Sequence, residues 1–152
     1  LMKTRFLVCN CDNLYSANAM ELLKRENNYH SMIAYDYECL DFSQERLSSF
    51  SILKIENNFL SEIIEKPDIE IIRNNNQKKY VSMNIFSFIG SKVYKYLKDC
   101  PVNIERGEKE LASALQNMIL DDKESIKTFS LCEHVPDMTY KEDIEKINNF
   151  LN

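Results

Sequence analysis

Asp12 follows a short apolar run, Thr4 to Cys9, and stands just ahead of a helical pattern that begins at Tyr15. In open α/β sheets, ligands bind in the crevice beyond the carboxyl ends of the strands. A carboxylate placed there can hold a magnesium ion together with substrate phosphates. Asp137 lies in the same kind of place, between a strand pattern and the last helix. If the two strands end at one sheet edge, Asp12 and Asp137 form a metal pair. Spacing alone favours the plainer reading of each, an Asp in a turn or near a helix start. Glu65-Lys66-Pro67 ends an apolar arm. Pro67 is expected to hold Lys66 extended and to stop ladder pairing. Lys66 could then meet a phosphate and Glu65 could accept hydroxyl hydrogen bonds, although a solvated charge pair fits the pattern as well. Arg106-Gly107 precedes the strongest helical pattern. Arg suits a two-pronged grip on phosphate, and a surface loop Arg is the other reading.

Other chemistries are poorly served. The chain has two glycines, Gly90 and Gly107, so neither GxGxxG nor GxxxxGK is present. No serine has the flanking glycines of a nucleophile elbow. His30 and His134 have no partner at catalytic spacing. The five cysteines, Cys9, Cys11, Cys39, Cys100 and Cys132, are odd in number and form no CxxC pair. That pattern predicts reduced, mostly buried thiols in the cytoplasm rather than a disulfide framework or a zinc site. Lys+Arg 19 against Asp+Glu 24 gives a net charge of −5, which disfavours a nucleic-acid partner. No apolar run approaches the ~20 residues of a membrane span.

The elements that must position these residues alternate in type. Thr4 to Cys9 reads as a strand covered on both faces. Tyr15, Ala19, Leu22 and Leu23 mark a helix to Glu26, and Ser31 to Tyr37 a second strand. This β–α–β order suggests a parallel crossover. Phe50–Glu56 and Phe59–Glu65 flank Asn57-Asn58 as an inserted hairpin, with Asp68–Ile72 extending it and Arg73–Lys78 looping out. Tyr80–Phe88 reads as one strand with Ser82 and Asn84 on its polar face. Helices follow around Val93 and Leu115, then a strand Ile126–Glu133. Thr139-Tyr140-Lys141-Glu142 reads as a capping box for a last helix carrying Ile144, Ile147 and Leu151. With no linker, residues 1–152 form one mixed α/β domain.

Taken in order, these segments resemble the sugar-1-phosphate nucleotidyltransferases, the pyrophosphorylases that make nucleoside-diphosphate sugars. Phe6 to Asn13, FLVCNCDN, is similar to the family's FLVxNGDN strand and its metal-binding Asp. Glu45 to Ile55 resembles ERVSxYGVVKV, and Phe59 to Pro67, FLSEIIEKP, resembles xVxEIIEKP. Tyr80 to Phe88 is similar to xVSMNxWxF, Arg106 to Leu111 to RGExEI, and Val135 to Asp143 to GVTYKED. The resemblance implies a mainly parallel, Rossmann-like sheet flanked by helices. It implies transfer of a nucleotidyl group from a nucleoside triphosphate to a sugar-1-phosphate, with Mg2+ as cofactor. Asp12 and Asp137 would hold the metal. Glu65 would bind sugar hydroxyls, Ser51 and Asn84 would lie beside the sugar, and Lys66 and Arg106 would grip its phosphate.

The chain also departs from that pattern. Cys11 and Ser51 stand where the family has Gly, and Asn84 where many members do, so close backbone approach to a ligand is reduced. This leaves a non-hexose phosphate such as phosphocholine as an alternative acceptor. The family's N-terminal GxGTRLxPLT part has no counterpart here. With its Leu1-Met2 start, the chain reads as the later portion of a catalytic domain, inactive by itself, with a second copy or the missing N-terminal part as its expected partner. A non-catalytic sugar-nucleotide-binding or assembly domain is the second reading. A glycosyltransferase ranks last, since Asp36-Tyr37-Glu38 is a poor DxD metal motif.

Overall fold

Asn57 and Asn58 both have positive φ, +52° and +66°, as a two-residue type I′ turn requires. They join β3 (Ile52–Glu56) to β4 (Phe59–Ile64) in an antiparallel hairpin, as the spacing predicts. Gly adopts this region without the Cβ penalty. Asn58→Gly should therefore raise stability by about 0.5 kcal/mol, read from the urea unfolding midpoint. The computed structural model describes residues 4–68, 72, 78–104, 107–121 and 125–151. The expected extension over Asp68–Ile72 and the loop over Arg73–Lys78 fall largely outside the described residues.

β2 (His30–Asp36) is buried along its whole length and is the centre of the sheet. Its apolar run serves both faces. Ile33 and Tyr35 pack into one core with Ala19 and Leu23, while Met32 and Ala34 pack into the other with Phe86, Val93 and Met118. The first core lies under α1 (Ala17–Arg25), whose N-cap Ser16 accepts the Ala19 amide at 3.1 Å. The second lies under α3 (Gly90–Asp99) and α4 (Leu111–Leu120). A short ribbon, β7 (Val102–Asn103) with β8 (Glu108–Lys109), joins those two helices. Two further helices, α2 (Gln44–Leu47) and α5 (Asp143–Leu151), lie beside the loop after β9 (Ile126–Leu131).

The sheet runs β1-β6-β2-β5-β3-β4-β9, and β9 also pairs with β2, so five strands close a ring. Here β1 is Arg5–Cys9, β5 is Tyr80–Val81 and β6 is Ile85–Ile89. The expectation of a mainly parallel sheet is corrected: among the described pairings only β2–β9 is parallel. β1 and β2 do run in one direction, but β6 lies between them and is antiparallel to both. Nor is β1 covered on both faces as its apolar run predicts, since Leu7 and Cys9 are exposed, and such a run does not say which strand lies beside it.

Four local expectations are also corrected. Tyr80–Phe88 is not one strand, because Asn84 turns into the left-handed region at φ +55° and splits it into β5 and β6. Lys66 is not extended before Pro67, since its φ is +46°. The last helix opens at Asp143, whose carboxylate accepts the Tyr140 amide at 2.9 Å. The reciprocal cap is thus shifted one residue, and Thr139 instead donates its hydroxyl to Asp137 at 2.7 Å. Finally, Cys39 and Cys132 form a disulfide, and Cys9 and Cys11 are exposed rather than buried. Odd cysteine counting cannot see that two parallel strands bring one pair to 5.2 Å between Cα atoms. No helix among the described residues is long and apolar enough to cross a membrane.

Candidate functional site

The break at Asn84 divides the sheet. Below it, β6 carries β1; above it, β5 carries β3 and the hairpin. A cleft of about 320 Å³ opens in this split. Asn10 lines it from the end of β1, Ser82 and Asn84 from the break, and Ser51 and Glu65 from the hairpin. Glu108 to Ala112 close it from β8 and the start of α4. Ser51, Glu65 and Asn84, expected on the sugar side, are therefore brought together. Asn10 and Ser82 were not anticipated as site residues; the sequence signals were Ser82's place with Asn84 on a polar strand face and Asn10's nearness to Asp12.

The kink is held by local polar bonds. The buried Ser82 hydroxyl and the Asn84 amide N–H lie 3.3 Å apart, and Ser82 also donates to Asn84 Oδ1 at 3.3 Å. From below, the Tyr15 hydroxyl donates to the Met83 carbonyl at 2.5 Å and itself accepts the Asn10 amide at 3.3 Å. Burial pushes the Tyr15 pKa up, with the nearby Asp12 and Asp137 charges acting in the same sense. Tyr15 thus stays a neutral donor and ties the kink to the turn after β1.

That turn carries Asp12, and Asp137 lies against it. Asn13 and Asp137 form an antiparallel bridge. Leu14 N–H donates to the Pro136 carbonyl at 2.9 Å, and Met138 N–H to the Asp12 carbonyl at 2.8 Å. The two aspartates, 125 positions apart in sequence, are neighbours through their backbones. Asp12 is half-buried, and its carboxylate makes no ion pair or hydrogen bond with the described residues. Asp137 is buried at 8% exposure and is already engaged, by Thr139 and by Arg46 at 3.3 Å. Among the described residues no group of three or more His, Cys, Asp or Glu is placed to hold a metal. Two carboxylate oxygen donors still fit Mg2+, which takes one or two carboxylates plus substrate phosphates and keeps several waters. They do not make a zinc centre.

Arg46 was not singled out by sequence. Its guanidinium forks onto Asp143 at 2.9 and 3.0 Å and onto the Asp137 carbonyl at 3.0 Å. It also stacks over Phe42 at 4.9 Å and Tyr140 at 5.5 Å. The Arg46 bond holds the Asp143 carboxyl down at about 2. A depressed carboxylate stabilises the fold above its unfolded pKa of ~3.9. That contribution is expected to be lost as pH falls from about 4 through about 2. Comparing urea midpoints of the wild type and Asp143→Asn across this window checks it: the gap should close toward pH 2.

The remaining expected residues are placed differently. Lys66 is exposed beyond Glu65, has a left-handed rather than an extended backbone before Pro67, and is not among the residues that line the cleft. Arg106 lies outside the described residues. Lys109, on the rim, is held by the carbonyls of Leu97 and Lys98 at the end of α3, where a cation meets the helix dipole. His134 accepts the Asp41 amide at 3.0 Å, and burial pushes its imidazole pKa down.

The fold recurs among solved nucleotidyltransferases. A protein described as a glucose-1-phosphate thymidylyltransferase from Bacillus anthracis, solved with sucrose, matches with a TM-score of 0.66 at 19% identity, over 97% of this chain and 55% of its own. A UDP-glucose pyrophosphorylase solved with UDP-glucose matches at 0.68 and 15%, over 98% and 56%. The inositol-1-phosphate CTP transferase from T. maritima matches at 0.63 and 16%, over 97% and 54%. This chain thus spans about half the length of each. No family model and no curated relative matches the sequence.

Proposed function

We propose that this chain is the acceptor-side part of a nucleotidyltransferase, which moves a nucleotidyl group from a nucleoside triphosphate to a sugar-1-phosphate. The observation that carries the reading is the split-sheet cleft, where Ser51, Glu65 and Asn84 converge with Asn10, the residue that leads into the Asp12 turn. Glu65 accepts hydroxyl hydrogen bonds of the acceptor, and Asn84 and Asn10 present amides to it. Lys66 and Arg106 neutralise its phosphate. Asp12, with Asp137, would hold Mg2+, which supplies charge neutralisation at the phosphates as the acceptor oxygen attacks the α-phosphate. The protein's own contribution is positioning and fixed charge rather than covalent chemistry. The outer edge of β1 has no partner among the described residues, and Leu7 there is 43% exposed. The nucleotide-binding part of such an enzyme would pair at this edge.

Calorimetric titration with a hexose-1-phosphate tests the reading. Binding should weaken about tenfold, the equivalent of one charged hydrogen bond, in Glu65→Gln and in Asn84→Ala. Unchanged affinity in both variants would remove the cleft as the acceptor site. One observation favours a second reading, a non-catalytic nucleotide-sugar-binding domain: Arg46 and Thr139 already occupy the Asp137 carboxylate. Binding of a nucleoside-diphosphate sugar that is indifferent to Mg2+ would select it.

A further inference from the structure

β2 and β9 are parallel neighbours, in register from His30–Ile126 to Tyr35–Leu131. Just past the end of that ladder, Cys39 and Cys132 are covalently joined. Cys132 opens the stretch that delivers Asp137, and among the described residues this stretch has no further ladder beyond the single Asn13–Asp137 bridge. It is stitched by single bonds. Ser16 Oγ donates to Glu133 at 2.7 Å, the Asp41 amide to His134 at 3.0 Å, and the Leu14 amide to Pro136 at 2.9 Å. Met138 in turn donates to Asp12 at 2.8 Å. Two of these partners, Asp41 and His134, each lie two residues beyond a bonded cysteine. The disulfide therefore fixes the base from which all four bonds are made.

We propose that Cys39 and Cys132 are a positioning pair for the candidate metal site. Oxidised, they hold residues 133–138 against the Asp12 turn; reduced, they release that segment and uncouple Asp137 from Asp12. The inference rests on the functional reading above for its consequence, and on geometry alone for the release. In the reduction a dithiol gives two electrons and two protons. The Cys39–Cys132 bond breaks to two thiols, and the dithiol leaves as its own cyclic disulfide.

The test compares the oxidised chain, the chain reduced with dithiothreitol, and the double variant Cys39→Ala/Cys132→Ala. Backbone 15N order parameters are read on the native state of each. The amides of Glu133, His134, Asp137 and Met138 should fall from about 0.85 to below about 0.6 in the latter two forms. Those of β2 and β9 should hold, and reoxidation should restore the wild type. Unchanged values over residues 133–138 would overturn the proposal. So would loss of the folded state in both the reduced chain and the variant, which would make the pair a general staple. Mg2+ titration forms a second arm, with at least a tenfold loss of affinity expected on reduction. Equal Mg2+ affinity in both forms despite loss of order would overturn the link to Asp137. If the oxidised chain binds no Mg2+, the functional reading fails, and the order parameters still decide the release.

Discussion

Replacing Arg46 with alanine is expected to cost about 3–5 kcal/mol of folding free energy, the range for removing one partner of a buried ion pair. Asp143 and Asp137 are 3% and 8% exposed, and Arg46 is the cation that faces both. Without it, two carboxylates remain in a dry setting where, among the described residues, Thr139 Oγ1, the Tyr140 amide and the exposed Lys146 are left to offset them. A loss of that size is a large part of the ~5–15 kcal/mol that holds a domain together. Arg46→Lys should lose less, because it keeps the charge but not the two-pronged fit or the ring stacking. The urea midpoint, with unchanged slope, measures both. A cost under about 1 kcal/mol for Arg46→Ala, the range of an exposed pair, would contradict the buried network.

The second large effect is on binding rather than on stability. Asp12→Asn should leave the urea midpoint within about 0.5 kcal/mol of wild type, as at any site without buried partners. Its carboxylate makes no ion pair or hydrogen bond with the described residues, so the fold does not depend on it. The same variant should lose the Mg2+-dependent gain in affinity for a nucleoside-diphosphate sugar, at least tenfold. A variant that folds normally and keeps its Mg2+ response would show that Asp12 is a turn residue only.

The elements with a strong period were legible. The four residues Tyr15, Ala19, Leu22 and Leu23 place α1, Val93 and Tyr96 place α3, and Ala114, Leu115 and Met118 place α4. Asn57-Asn58 specifies its hairpin, because few residue pairs accept two positive φ values. Strand neighbours were not legible. β6 reads as an apolar run whether it lies beside a parallel or an antiparallel partner. The Asn84 kink was hidden for a related reason. Ser82 and Asn84 fit the polar face of an alternating strand, and only the competing demands of β1 and β3 break it.

For the site, Glu65 could be placed because it ends a hairpin arm, whereas Ser51 and Asn84 were placed beside the sugar only by the family resemblance, since neither ends or interrupts a strand in the sequence pattern. Arg46 could not, since its partner Asp143 is 97 positions away and both residues look like ordinary helix-surface charges. The Cys39–Cys132 bond, 93 positions long, was invisible for the same reason. Cysteine counting reports a framework, not a single long-range closure.

The central claim is that the split-sheet cleft takes a phosphorylated sugar beside Asp12. Titrating the 15N-labelled chain with UDP-glucose and Mg2+, and following its amide shifts, tests this most directly. The account predicts that the shifted amides cluster at Asn10, Asp12, Ser51, Glu65, Ser82 and Asn84, and that omitting Mg2+ removes the response at Asp12 first. Shifts confined to the larger cavity of about 900 Å³ between α2 and α5, around Phe42, His134 and Phe150, or no shifts at millimolar ligand, would contradict it.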